Sequence, residues 1–377
     1  MRKLIAIAMV TLIGCNDSTD TTEPVALTVA QVTAGIDHTC ALANNGGAFC
    51  WGKNSFGELG NNSTTDSPLP VVVASATSFT RLSAGGSTCG ISGSGAAQCW
   101  GANDKGQLGD GSTTARSTPA AVGGGMLLAA IDAGTLHACG LTPAGAAYCW
   151  GDNSTGNLGT GSVAQSLTPI AVSGGQLFTR IVAGNARTCA LSSGGIAWCW
   201  GKNTNVGTNS IVNSSVPVAV PGGLSFQALA GGDSHNCALT AAGTAYCWGG
   251  NAYGERGDDD PTFRLSPIPV NGNQVFIAIT AGNSHSCGIT GNGAAYCWGR
   301  NDHGQLGDGS VANSSTPRPV AGGLTFALLS AGASVTCGVT ADGAAFCWGL
   351  NASGQLGDGS TTDSNVPILV AGQEPGA

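Results

Sequence analysis

The chain has 377 residues, of which 62 are glycine and only 9% are charged, and its formal net charge is −8. An acidic chain with no basic stripe repels phosphate backbones, which excludes nucleic acid as a partner. The sequence has four glutamates, Glu23, Glu58, Glu255 and Glu374, and no nucleophile elbow, HExxH motif or phosphate loop, so acid–base catalysis has little to work with and a non-enzyme is expected.

Arg2 and Lys3 make a basic start, and Leu4–Ile13 is an apolar run too short to cross a bilayer, which needs about 20 residues. The four residues that follow from Leu12, Leu12-Ile13-Gly14-Cys15, resemble the lipobox of bacterial lipoproteins. That resemblance implies cleavage before Cys15 and lipidation of its thiol, so residues 1–15 are read as a lipoprotein-type signal peptide. The −8 includes Arg2 and Lys3, so the cleaved chain would carry −10. Residues 16–24 are small and polar and read as a flexible tether.

From residue 25 onward the chain repeats itself seven times. The pairs are Cys40 and Cys50, Cys89 and Cys99, Cys139 and Cys149, Cys189 and Cys199, Cys237 and Cys247, Cys287 and Cys297, and Cys337 and Cys347, each second cysteine followed by tryptophan. First cysteines recur 49, 50, 50, 48, 50 and 50 residues apart, a period that marks a repeat architecture. W-G-x-N follows in every copy, and the fullest copies continue as G-Q-L-G-D-G-S, as at Gly304–Ser310.

Each unit reads as a β-hairpin. Apolar runs such as Phe276–Thr280 lead into the first cysteine, and Gly-rich turns such as Thr240–Gly243 lie between the two. A symmetric turn places the cysteines opposite each other, close enough for a disulfide. Fourteen regularly paired cysteines behind an export signal read as seven such bonds in an oxidising compartment, with Cys15 left over. Alternation sends the residues flanking each second cysteine, such as Tyr296 and Trp298, to the opposite face. Both faces of the hairpin therefore require burial, which a blade between two neighbours supplies.

A glycine-rich loop and a proline-led extended run, such as Pro319–Val320, complete the unit at three strands, or four if part of the loop pairs. No apolar period of 3.6 appears after residue 14, so the chain is read as all-β. One domain over 25–371 is expected, a seven-bladed β-propeller, with 372–377 a disordered tail. Its ring is expected to close by pairing the C-terminal strand, Pro367–Val370, with the first hairpin, removing two exposed edges.

The W-G-x-N-x-x-G-Q-L-G-D-G grammar resembles the regulator of chromosome condensation repeat, a seven-bladed propeller family, over nearly all of Val25–Val370. The paired cysteines depart from its intracellular members. Together with the acidic charge, they argue against carrying over the chromatin and small-GTPase roles of the nuclear members.

Candidate site residues are few. His38, His137, His235 and His285 each stand two residues before a first cysteine, where other copies have Ser87, Arg187 and Val335. A structural histidine bonded within its own blade is expected, rather than a metal site. The Asn/Asp-rich loops Asn103–Ser112 and Asn301–Ser310 lack the order and terminal glutamate of a calcium loop and read as turns. No metal and no cofactor is expected. Arg256-Gly257-Asp258 spells an integrin-type tripeptide, but its register replaces the Leu-Gly-Asp of other copies.

The informative irregularities lie in repeats four and five. Repeat four has 204–210 where others have GQLGDGS. Repeat five gathers Tyr253, Glu255, Arg256, Asp258, Asp259, Asp260, Phe263 and Arg264 in an otherwise bland ring, and these form the candidate binding patch.

The expected protein is an exported monomer, lipid-anchored to a bacterial cell envelope or secreted, that binds an unknown protein on one face. It would touch the membrane through the anchor alone. A carbohydrate-binding or carbohydrate-processing role is the alternative. A further one is a secreted enzyme inhibitor, since a β-lactamase inhibitor is built from a similar repeat.

Overall fold

The structure is a computed structural model that describes residues 28–202 and 212–373. The expected signal peptide with Cys15, the expected tether, loop 204–210 and residues 374–377 lie outside the described residues. Seven antiparallel four-stranded sheets follow one another along the chain, with no α-helix among the described residues. The first blade comprises β1 (Val29–Ala34), β2 (His38–Ala43), β3 (Ala48–Gly52) and β4 (Ser67–Val72), in that order from the axis outward. The other six repeat it.

The four strands follow from local sequence. Ala-Gly turns such as Ala281–Ser284 split each lead-in run, so Phe276–Ala281 becomes the innermost strand and His285–Thr290 a separate second one. The fourth strand thus arises before the first cysteine and not from the glycine loop. Second strands are buried on both faces because each lies between neighbouring blades. Outer strands are half-exposed and carry the prolines, for example Pro68 and Pro70, on an edge where no ladder partner is lost.

All seven disulfides form, each between residues directly opposed across the second and third strands of a blade. Cys40 bonds Cys50, Cys89 bonds Cys99, Cys139 bonds Cys149 and Cys189 bonds Cys199. Cys237 bonds Cys247, Cys287 bonds Cys297 and Cys337 bonds Cys347. The paired Cα atoms are 4.0–4.1 Å apart. All fourteen cysteines are buried, so they staple the interior and offer no thiol at the surface.

Each bond packs on the tryptophan of the next blade. Cys40 and Cys50 share a core cluster with Trp100, Cys89 and Cys99 with Trp150, and Cys139 and Cys149 with Trp200. Cys189 and Cys199 share theirs with Trp248, Cys237 and Cys247 with Trp298, and Cys287 and Cys297 with Trp348. At the seam, Cys337 and Cys347 meet Trp51. The core is therefore seven small clusters, one between each pair of blades. Apolar burial and dispersion favour the disc as a whole rather than any single blade.

The expected mode of closure is corrected. The last strand, Ser364–Leu369, pairs with Ala345–Gly349 of its own seventh blade, and no strand is exchanged across the seam. The physical reason is that β1 already supplies a complete inner strand to the first blade, so neither end lacks a partner. The ring closes by the contacts that join every other pair of blades. Ala333 N–H donates to Gly35 O at 3.1 Å, as Ile36 N–H donates to Gly85 O at 3.1 Å. At this constriction the turns nearly touch: a Cβ on Gly282 would lie 2.1 Å from Gly332 O.

A polar lock joins the blades farther out. The carbonyl of Gln305, in the loop of the sixth blade, accepts from Trp348 Nε1–H at 3.0 Å and Thr336 Oγ1–H at 2.8 Å, both in the seventh. Asn157 O does the same for Trp200 and Thr188, and Gln355 O for Trp51 and Thr39 across the seam. Both lone pairs of one carbonyl are thus satisfied by the next blade. The close approach requires glycine two positions on. Gly307 has φ +68°, and a Cβ there would lie 2.6 Å from Trp348 Nε1.

Gly307→Ala is therefore expected to lose about 2–5 kcal/mol, combining left-handed backbone cost with overpacking. Gly309 has φ +84° with nothing within 4 Å of a Cβ, so Gly309→Ala should lose only about 1–2 kcal/mol. Denaturant unfolding measures both, and equal losses would show that the tryptophan contact is not what the glycine serves.

Candidate functional site: the loop face

The W-G-x-N loops and the Ala-Gly turns emerge on one face of the disc, the loop face; the β2–β3 turns and the blade-to-blade connections occupy the other. Each described loop is tied down by its asparagine. Asn301 Oδ1 accepts Leu306 N–H at 2.9 Å, while Nδ2 donates to Ser310 O at 3.1 Å and Ala312 O at 3.0 Å. Asp308 Oδ1 accepts Ser310 N–H at 2.9 Å. The polar side chains of these loops bond the loop itself, which is turn chemistry. No group of histidine, cysteine and carboxylate able to hold a metal occurs among the described residues.

The histidines link blades rather than serving their own. His285 Nε2 meets Thr336 Oγ1 of the next blade at 2.8 Å, and that hydroxyl donates to Gln305 O. The hydroxyl proton being committed, the imidazole donates from Nε2. His38, His137 and His235 make the same bond to Thr88, Thr188 and Ser286. Where the fourth blade has Arg187 instead, its guanidinium donates to the carbonyls of Gly232, Asp233 and His235 in the fifth. The expectation of a bond within one blade is corrected: the inner ends of neighbouring blades are too close for the ring to do otherwise.

The fifth-blade patch divides into a buried and an exposed part. Arg256 stands where other copies have leucine and is fully buried, 0% exposed. Its guanidinium is bidentate to Asp258, at 3.0 Å from Nη2 to each oxygen, and donates to Gly249 O, Thr262 O and Asp260 O. A buried guanidinium that is paired and fully hydrogen-bonded is a structural strut. The integrin-type tripeptide is therefore not displayed. Glu255 is buried as well, accepting Tyr253 N–H and Ser234 Oγ–H, each at 2.8 Å.

The exposed part is Tyr253 (41% exposed), Asp259, Phe263 and Arg264, with Asp260 half-buried and ion-paired to Arg264. Hydrogen bonds to Thr262 and Arg264 hold the Asp260 carboxyl down at about 2. Tyr253, Asp258, Asp259, Pro261, Asn313 and Ser315 line a hollow of about 320 Å³ against the sixth blade. Two residues that the sequence reading did not single out join this face. Arg300 lies over the Tyr253 ring, 5.2 Å from its centroid, a cation–π contact. Phe56, 55% exposed, occupies the register position of Tyr253 in the first blade and rims a mainly apolar cleft of about 520 Å³ between blades one and two. Aligning the seven loops on W-G-x-N would have found Phe56.

With this geometry in place, the comparisons identify the class. The RCC1-like domain matches residues 128–375, and the regulator of chromosome condensation (RCC1) repeat matches residues 29–58 and 45–91. The chain belongs to the RCC1-like propeller family. No curated protein matches it significantly. Among solved structures it is similar to Prp20p from Saccharomyces cerevisiae, at 22% identity and TM-score 0.77 over 92% of this chain and 88% of that one. Human WBSCR16 is similar at 19% identity and TM-score 0.78, covering 86% and 94%. The CRINKLY WD40 ectodomain of the Arabidopsis thaliana receptor kinase ACR4 matches at 22% identity and TM-score 0.57, covering 91% and 98%. These likenesses show the fold.

Burial pushes the imidazoles of His38, His137 and His285 down to about 4, and drives that of His235 well below its ordinary value. Unfolded, they protonate near 6.5, so the unfolded chain binds more protons between pH 6.5 and about 4, and stability falls as pH drops through that window. Asp132 acts oppositely: burial raises its carboxyl to about 6, so its destabilising effect is relieved as pH falls from 6 to 3.8, offsetting one histidine. Urea midpoints should therefore fall toward about pH 4.5, and His285→Gln, which keeps a donor for Thr336, should flatten the fall. A midpoint independent of pH would mean that the imidazoles are not buried neutral.

Proposed function

We propose that this protein is an exported, lipid-anchored envelope protein whose propeller binds another protein through the loop face, without catalysing a reaction. The observation that carries the reading is the fifth-blade loop. Its buried strut, Arg256–Asp258, holds Tyr253 and Phe263 exposed beside Arg264 and Arg300, a mixture of aromatic and arginine groups that protein interfaces favour. Seven disulfides support an oxidising, exported environment. No helix among the described residues is long and apolar enough to cross a membrane. The lipobox-like Leu12-Ile13-Gly14-Cys15 supports assigning membrane attachment to an acyl chain on Cys15. Within the fold, precedent exists for partner binding: Prp20p binds Gsp1p and histones, and yeast RCC1 (Prp20) has been seen bound to Kap60.

A glycan is the second reading. An exposed tyrosine ring beside the Asp259 carboxylate and Asn313 is also the chemistry of sugar stacking and hydroxyl recognition.

The triple variant Tyr253→Ala, Phe263→Ala, Arg300→Ala should abolish capture of the partner from envelope extracts while leaving the unfolding midpoint unchanged, since all three side chains lie at the surface. Undiminished capture would remove this patch, and selective binding on a glycan array would replace protein by sugar. Intact mass of the native protein reads the anchor: an unmodified Cys15 would refute lipidation.

A further inference from the structure

The face opposite the loops carries a second site. Most of the described cations are engaged. Lys53 pairs with Asp37, Arg116 with Asp110, Arg264 with Asp260 and Arg300 with Asp302, while Arg187 and Arg256 are buried among carbonyls. Arg81 and Arg180 differ. Both are exposed, and neither side chain makes an ion pair or hydrogen bond with another described residue. They occupy the same register position on the inner strands of blades two and four, and both line one cleft of about 860 Å³. Between them the third blade contributes Ala130, whose small side chain leaves the cleft open. Two unpaired guanidinium groups, one on each side of the same hollow in an acidic protein, point to an anionic ligand.

The floor between the arginines narrows the class. Leu177, 56% exposed, and Pro143, also exposed, line the cleft, and the one aromatic among the described lining residues, Phe178, is buried. No ring is presented for stacking on a sugar, so apolar contact must come from aliphatic groups. Among the described lining residues there is one carboxylate, Asp132. It is half-buried, accepts Ser83 Oγ–H at 3.1 Å and Ala183 N–H at 2.6 Å, and lies within electrostatic reach of Arg81. Its oxygens are thereby held by the inner strands, so it does not pair off either guanidinium. We infer that this cleft binds an acidic peptide segment, with carboxylates on Arg81 and Arg180 and an aliphatic side chain between them on Leu177 and Pro143. The site is separate from the loop face and stands whether or not the partner there is a protein.

The test uses the full chain and a short fluorescent peptide alternating glutamate and leucine, followed by anisotropy. Saturable binding that weakens with salt is expected, and that weakens about tenfold in the double variant Arg81→Gln, Arg180→Gln. Both side chains are exposed, so the unfolding midpoint should not change, and Tyr253→Ala should bind as the parent does. Equal binding by the double variant, equal binding of a glutamine-for-glutamate peptide, or no binding at millimolar peptide would each overturn the proposal. Preferential binding of a sulfated oligosaccharide, lost in the double variant, would overturn the peptide class.

Discussion

One backbone carbonyl in each described loop ties its blade to the next, accepting an indole N–H, a hydroxyl or both. In the blades where the contact is complete, the carbonyl before the loop leucine receives an indole N–H and a hydroxyl from the next blade, and a histidine behind that hydroxyl donates to it in turn. The bonds lie in a dry interface beside a disulfide and a buried tryptophan, where an unpaired indole or carbonyl would be costly. Much else in the repeat follows from keeping that carbonyl in place. Asparagine pins the loop that carries it, and glycine two residues on lets the indole approach.

Much of this was legible in the sequence. The period gave the blade count, and the opposed cysteines with flanking aromatics gave two faces that both need burial. The strand count was less clear, because Phe276–Ala281 and His285–Thr290 read as one apolar run until the Ala-Gly turn between them is recognised. Closure was misread for a related reason. A repeating sequence has no intrinsic phase, so the proline-led strand looked like the start of a unit when it is the outer edge of the preceding one. The residue before five of the seven first cysteines carried a signal that went unread: Thr39, Thr88, Thr188, Ser286 and Thr336 are the hydroxyls of the lock.

The candidate patch was legible in outline and not in detail. Sequence singled out the fifth loop because it breaks the pattern, but it could not tell a displayed arginine from a buried one. Arg256 takes the place of a core leucine and recruits Asp258 and three carbonyls to neutralise it. Such a substitution stiffens the loop while leaving Tyr253 outside, and a rigid exposed aromatic loses little entropy on binding. The opposite face was silent in sequence because Arg81 and Arg180 are ninety-nine residues apart. Only the ring brings them to one cleft.

The central claim is that the junction between the last blade and the first is closed by the same indole-to-carbonyl bond as the junctions at Trp150, Trp200 and Trp348. Hydrogen exchange of the tryptophan indoles, followed by NMR, tests it directly. Trp51 donates across the seam to Gln355 O at 2.8 Å, while Trp150 and Trp200 donate at 3.0 Å to Gln107 O and Asn157 O within the chain's interior junctions. Equal protection of the three is the expected result. If the Trp51 indole exchanged much faster than the other two, the ring would open at the seam, and closure would depend on something other than the repeated lock.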